Sequence, residues 1–120
     1  MKVRALYFVE ITVTDWALAV AWYKDMLGME PVHLVEADQF ALLRAGPAQL
    51  ALKGGEAMPG TMQLTFEVED LERAAAHLAT WGVMLESPLQ ASAEGYRDLV
   101  VRDPDGYRVC LFDWGGASAV

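Results

Sequence analysis

The sequence predicts an α+β fold made of two βαβββ modules, and three repeated features predict it. An aspartate suited to capping a helix occurs at Asp15 and again at Asp70, 55 positions apart. A glycine suited to ending a helix occurs at Gly28 and again at Gly82, 54 positions apart. Between each cap and its stop runs a stripe of apolar residues at helical spacing, and before each cap lies a stretch with strand composition. Matching offsets of cap, stripe and stop indicate an internal duplication.

The first module, 1–54, opens with VRALYFVEITV over 3–13, rich in β-branched and aromatic residues and therefore read as a strand. Asp15 follows at the N-cap, because its short side chain can accept from the unpaired N–H groups of a first helical turn. Trp16, Val20, Tyr23 and Leu27 then fall four, three and four apart on one helical face. Gly28 ends the helix as a residue that takes positive φ without strain. Strands are expected near 31–36, 39–44 and 48–53, separated by Ala37-Asp38 and by Ala45-Gly46-Pro47.

Three glycines and a proline between Gly54 and Gly60 then break the pattern, and 55–60 is read as a linker. The second module, 61–114, repeats the order. TMQLTFEV is its strand, Asp70 its cap, Leu71, Ala75, Leu78 and Trp81 its stripe, and Gly82 its stop. Further strands are expected near 83–86, 95–101 and 107–113, the last two joined by the turn Asp103-Pro104-Asp105-Gly106. Residues 115–120 read as a frayed tail.

Composition narrows the function. A chain of 120 residues suits one domain built from both modules. No apolar run reaches the roughly 18 residues of a membrane span, and MKVRALYFVEITVTD lacks the layout of a secretory leader, so a cytoplasmic protein without a membrane partner is expected. Cys110 is the only cysteine, which leaves no internal disulfide and no cysteine cage for a metal. The formal charge is −8 and the nine Lys and Arg do not cluster, so no nucleic-acid partner is expected.

ITVTDWALAVAWYKDMLGME resembles the V-x-D…FY-x-x-x-LG signature of the vicinal oxygen chelate superfamily, which includes glyoxalases, bleomycin resistance proteins and extradiol dioxygenases. FEVEDLERAAAHLATWGV resembles a second copy of it, and VVRDPDGYRVCLFD resembles the family's DPDG hairpin. The resemblance implies a curved, mixed eight-stranded sheet around a cleft, and a homodimer. It also implies metal-ligand positions on strands facing that cleft. One lies seven residues before the first cap, at Phe8, and one seven before the second, at Gln63. A third follows DPDGY by two residues, at Cys110, and the fourth falls near Gln49 to Ala51.

A benzyl ring cannot ligate, an amide is a poor ligand beside imidazole, and one thiolate does not hold an ion alone. No metal and no other cofactor is therefore expected. His33 and His77 lie elsewhere and read as surface or packing residues. Side chains two apart on a strand share a face, so Phe8 brings Leu6, Glu10 and Thr12 with it, Gln63 brings Thr65 and Glu67, and Cys110 brings Arg108 and Phe112. One of Tyr96 and Arg97 joins them, and parity leaves both open.

Phe8, Glu10, Gln63, Glu67, Cys110 and Phe112 are thus the expected ligand-binding residues: aromatic walls with two carboxylates, suited to a small aromatic or cationic molecule. Three of them also have a plainer role, Glu10 at a solvent or dimer edge, Glu67 at a sheet end, and Cys110 in packing. The expected function is metal-independent binding of such a molecule. The alternative is a lyase, isomerase or dioxygenase of the same superfamily, using a metal with an atypical ligand set or metal-free acid–base work by Glu10 and Glu67.

Overall fold

In the computed structural model, which describes residues 1–115, the chain forms two compact units, Met1–Met58 and Pro59–Val120. In the first unit, β1 (Val9–Val13) leads into α1 (Trp16–Ala21), whose last turn widens into a π turn, Trp22–Met26. Then follow β2 (Glu30–Val35), a 3₁₀ turn at Glu36–Asp38, β3 (Phe40–Ala45) and β4 (Ala48–Gly54). The second unit has β5 (Gln63–Glu67), α2 (Leu71–Thr80), β6 (Ser87–Ala91), β7 (Arg97–Arg102) and β8 (Arg108–Asp113). The eight strands lie in two mixed four-stranded sheets, ordered β1-β4-β3-β2 and β5-β8-β7-β6. In each, the first strand runs parallel to the last and the other pairs are antiparallel.

Both helices begin where the aspartates place them. Asp15 accepts from the Leu18 amide, and Asp70 accepts from the Glu72 and Arg73 amides. Gly28 and Gly82 take φ of 69° and 73°. Each helix packs on one face of its own sheet through the alternate strand residues: Ile11, Val13, Leu43, Leu50 and Leu52 in the first unit, Leu99, Val101, Val109 and Leu111 in the second, all buried.

Four expectations are corrected. The first strand begins at Val9 instead of Val3, because β1 is an edge strand whose only ladder is with β4, starting at Val9 opposite Leu50. Before it, the Tyr7 carbonyl accepts from the Gln49 side chain. The π turn adds a residue to the last turn of the first helix, so Met26 is buried with Tyr23 while Leu27 is only partly covered. Trp81 is 55 % exposed because α2 stops at Thr80 and the chain leaves the stripe there; its ring lies 6.0 Å from that of His77. The sixth strand starts at Ser87 instead of near 83, since residues 83–86 carry the chain from the helix to the sheet edge. The expected tail lies, except for Gly115, outside the described residues; the Gly115 amide donates to Asp113.

Two glycines are required by geometry. Gly46, φ 55°, opens the two-residue loop joining β3 and β4, where Ala45 pairs with Ala48. At Gly54 a Cβ would overlap the Gln39 side chain, whose own Cβ would be 2.8 Å away, and the Gly54 amide donates to the Gln39 carbonyl. The outer strands β2 and β6 each contain a proline, Pro31 and Pro88, and each has a register shift beside it.

Candidate functional site

In each unit the helix covers one sheet face, and the candidate residues lie on the other. In the second unit the ladders fix that face: Gln63, Thr65 and Glu67 of β5 pair with Arg108, Cys110 and Phe112 of β8. Across β8, Arg108 pairs with Arg102, Cys110 with Val100 and Phe112 with Asp98. Paired residues project to the same side. Four of the expected binding residues, Gln63, Glu67, Cys110 and Phe112, therefore share one surface. In the first unit Glu10 pairs with Ala51, which pairs with Leu42, and the Phe8 ring meets Phe40 at 6.2 Å. Glu10 and Glu67 are exposed and lie in different units.

The register settles the choice between Tyr96 and Arg97. Arg97 pairs with Asp113 on the helix side, where its Nε and Nη2 donate to the Asp113 carboxylate at 2.9 and 2.7 Å and its Nη1 to Glu72 at 2.7 Å. Tyr96 is on the opposite side, its ring 6.2 Å from Phe112 and 6.3 Å from Trp114, which itself lies 5.7 Å from Phe112. All three contacts are edge-to-face, the favoured geometry for rings. Trp114 was missed in the sequence because it lies beyond the last strand; its spacing of two from Phe112 is the signal that places it.

At the other end of the same face the polar side chains are joined. Gln63 accepts from Arg108 Nε at 2.6 Å through Oε1 and donates to Thr65 at 3.1 Å through its amide nitrogen. Glu86 takes Arg102 on one oxygen, at 2.7 and 3.1 Å, and Arg108 on the other at 3.1 Å. The hydrogen bond from Arg102 holds the Glu86 carboxyl below the usual range. Cys110, 5 % exposed at the centre of the face, has its sulfur 3.9 Å from Asp98 Oδ2. Burial first, and then the Asp98 charge, push its thiol up, so it is a poor nucleophile and a poor metal ligand.

A model of the Glyoxalase/Bleomycin resistance protein/Dioxygenase superfamily matches residues 5–111. The chain belongs to that superfamily. Among solved structures it is similar to a superfamily member from Sphaerobacter thermophilus, with a TM-score of 0.78 and 22 % identity, over 94 % of this chain and 99 % of that one. It is also similar to a lactoylglutathione lyase from Agrobacterium tumefaciens, with 0.77 and 18 %, over 94 % and 96 %. TioX from Micromonospora sp. ML1 gives 0.77 and 22 %, over 91 % and 98 %. No curated protein matches the chain in sequence.

Superfamily enzymes imply a metal, and the residues here do not fit one. The duplication now places the fourth ligand position, because Glu10 and Thr65 each lie five residues before their caps and pair with Ala51 and Cys110 respectively. The four positions read Phe8, Ala51, Gln63 and Cys110. A ring and a methyl offer no donor, the thiol is held protonated, and the Gln63 oxygen already faces a guanidinium that would repel a cation. Among the described residues no group of three or more His, Cys, Asp and Glu is placed to hold a metal ion. His33 and His77 are exposed. No helix among the described residues is long and apolar enough to cross a membrane.

Proposed function

We propose that the chain binds a small molecule with an aromatic body on the helix-distal face of a sheet, without a tightly held metal. The observation that supports this most is the aromatic corner of Tyr96, Phe112 and Trp114 beside Glu67, which pairs with Phe112. Three rings standing edge-on leave faces for a fourth, and a neighbouring carboxylate favours a cationic group on it. Phe8 and Phe40 with Glu10 offer a smaller version of the same pairing in the first unit. Lactoylglutathione lyase chemistry, carried by one structural neighbour, is not proposed for this chain, because its positions offer no adequate donor set.

Calorimetric titration with benzyltrimethylammonium, a compact aromatic cation, tests the reading. Phe112→Ala should weaken binding about tenfold, the worth of one lost ring contact. Glu67→Gln should weaken it several-fold, and chelator should leave it unchanged. Stoichiometric nickel, zinc, iron or manganese in protein purified without chelator would overturn the metal-free reading and favour the enzyme.

A homodimer is proposed alongside. Val32 and Leu34 on the outer strand β2, and Val3, Leu6 and Tyr7 ahead of β1, are large apolar side chains exposed on the single chain. Sedimentation should give a dimer that Leu34→Glu converts to monomer, and a monomeric wild type at micromolar concentration would refute it.

A further inference from the structure

Arg102 and Arg108 sit directly opposite each other on β7 and β8. Like charges so placed repel unless something lies between them. Glu86 supplies it, holding Arg102 through Oε1 and Arg108 through Oε2. Two guanidinium groups on one carboxylate carry a net charge of +1, in a chain whose formal charge is −8. This cluster, at the far end of the face from Glu67 and Asp98, therefore has a sign opposite to that of the protein.

The two arginines are not equivalent. Arg102 is fully engaged, with Nε and Nη2 on Glu86 and Nη1 on the Gly106 carbonyl. Arg108 is gripped on Nε by Gln63 and on Nη1 by Glu86, and among the described residues its Nη2 has no partner. Its side chain remains 38 % exposed. A guanidinium fixed at two nitrogens, with the hydrogens of the third left over, is preorganised to donate to an incoming anionic oxygen. Gln63 is thereby tied into orienting the guanidinium.

We propose that Arg108, positioned by Gln63 and Glu86, is the anchor for a small organic carboxylate whose body runs along β8 toward Phe112. The cluster's net single charge matches a monoanion better than a phosphate dianion. Four steps of strand, roughly 14 Å at about 3.4 Å per residue, separate the Arg108 and Phe112 backbones. The inference deepens the preceding reading by giving the aromatic ligand an anionic end, and it rests on that reading for the direction of the ligand.

The test uses 4-phenylbutyrate, titrated calorimetrically into the intact chain at low salt. Wild type should bind it, Arg108→Gln should weaken binding by about tenfold or more, and Arg108→Lys, which keeps the charge but not the planar group that Gln63 and Glu86 orient, should weaken it several-fold. Benzyltrimethylammonium should bind Arg108→Gln as it binds wild type, so failure at Arg108 is distinguishable from failure at the aromatic corner. Arg108→Lys with an unchanged melting temperature keeps the test valid if the glutamine variant does not fold. Absence of heat with wild type, equal affinity in the arginine variants, or inorganic phosphate binding more tightly than 4-phenylbutyrate would each overturn the proposal.

Discussion

Replacing Asp113 by alanine should destabilise the fold by about 3 kcal/mol. Asp113 is 5 % exposed and accepts four hydrogen bonds: two from Arg97, one from the Leu71 amide and one from the Gly115 amide. The Leu71 bond, 2.8 Å and buried, satisfies the first amide of α2, while Asp70 satisfies the next two. Without the carboxylate that amide is orphaned at a cost of about 1–3 kcal/mol. Arg97 loses a bidentate partner, yet it keeps Glu72 and some solvent, so its loss falls below the roughly 3–5 kcal/mol of a fully buried broken pair. The Gly115 amide turns to water at little cost. Asn at this position keeps one acceptor for Leu71 and should cost about half as much. Urea denaturation followed by circular dichroism measures both variants. A loss under about 1 kcal/mol for Asp113→Ala would refute the reasoning, as would equal losses for Ala and Asn.

Acid stability should depend on the same carboxyl. The hydrogen bonds from Arg97 hold Asp113 far below the ordinary aspartate value of 3.8. A depressed folded-state pKa contributes stability that is full above the unfolded value and fades as pH falls toward the folded one. Melting temperature should therefore drop below about pH 4 in wild type, and Asp113→Asn should flatten that part of the curve; parallel curves would sink the assignment. Gly54→Ala should destabilise by about 1–3 kcal/mol through overlap with Gln39, with an unaltered urea midpoint as the contrary result. Trp81→Ala should change stability by less than about 0.5 kcal/mol because the ring is largely solvated. Cys110 should react with iodoacetamide at pH 8 far more slowly in the folded chain than in urea; equal rates would contradict its buried, protonated state.

Local chemistry made much of the fold legible. Asp15, Asp70, Gly28 and Gly82 act through bonds and dihedrals that involve only neighbouring residues, so their types reveal their roles. Strand alternation likewise put Gln63, Thr65 and Glu67 on one face with Arg108, Cys110 and Phe112. What escaped depends on distant partners. Whether Tyr96 or Arg97 faces the helix follows from Asp113 being opposite Arg97, a ladder register set by tertiary pairing. The Glu86 bridge was invisible because Glu86 precedes its strand and reaches arginines 16 and 22 positions away. The π turn was hidden too, since Trp22–Met26 has no distinctive composition.

The prolines and register shifts of the outer strands bear on how the protein behaves when crowded. A sheet margin with an unbroken row of amide and carbonyl groups invites another chain to add a strand. Pro31 and Pro88 each delete a donor from that row, and the adjacent shifts bend it out of register. Each half thus carries a safeguard of this kind, one that discourages runaway fibre growth along β2 and β6 at high concentration.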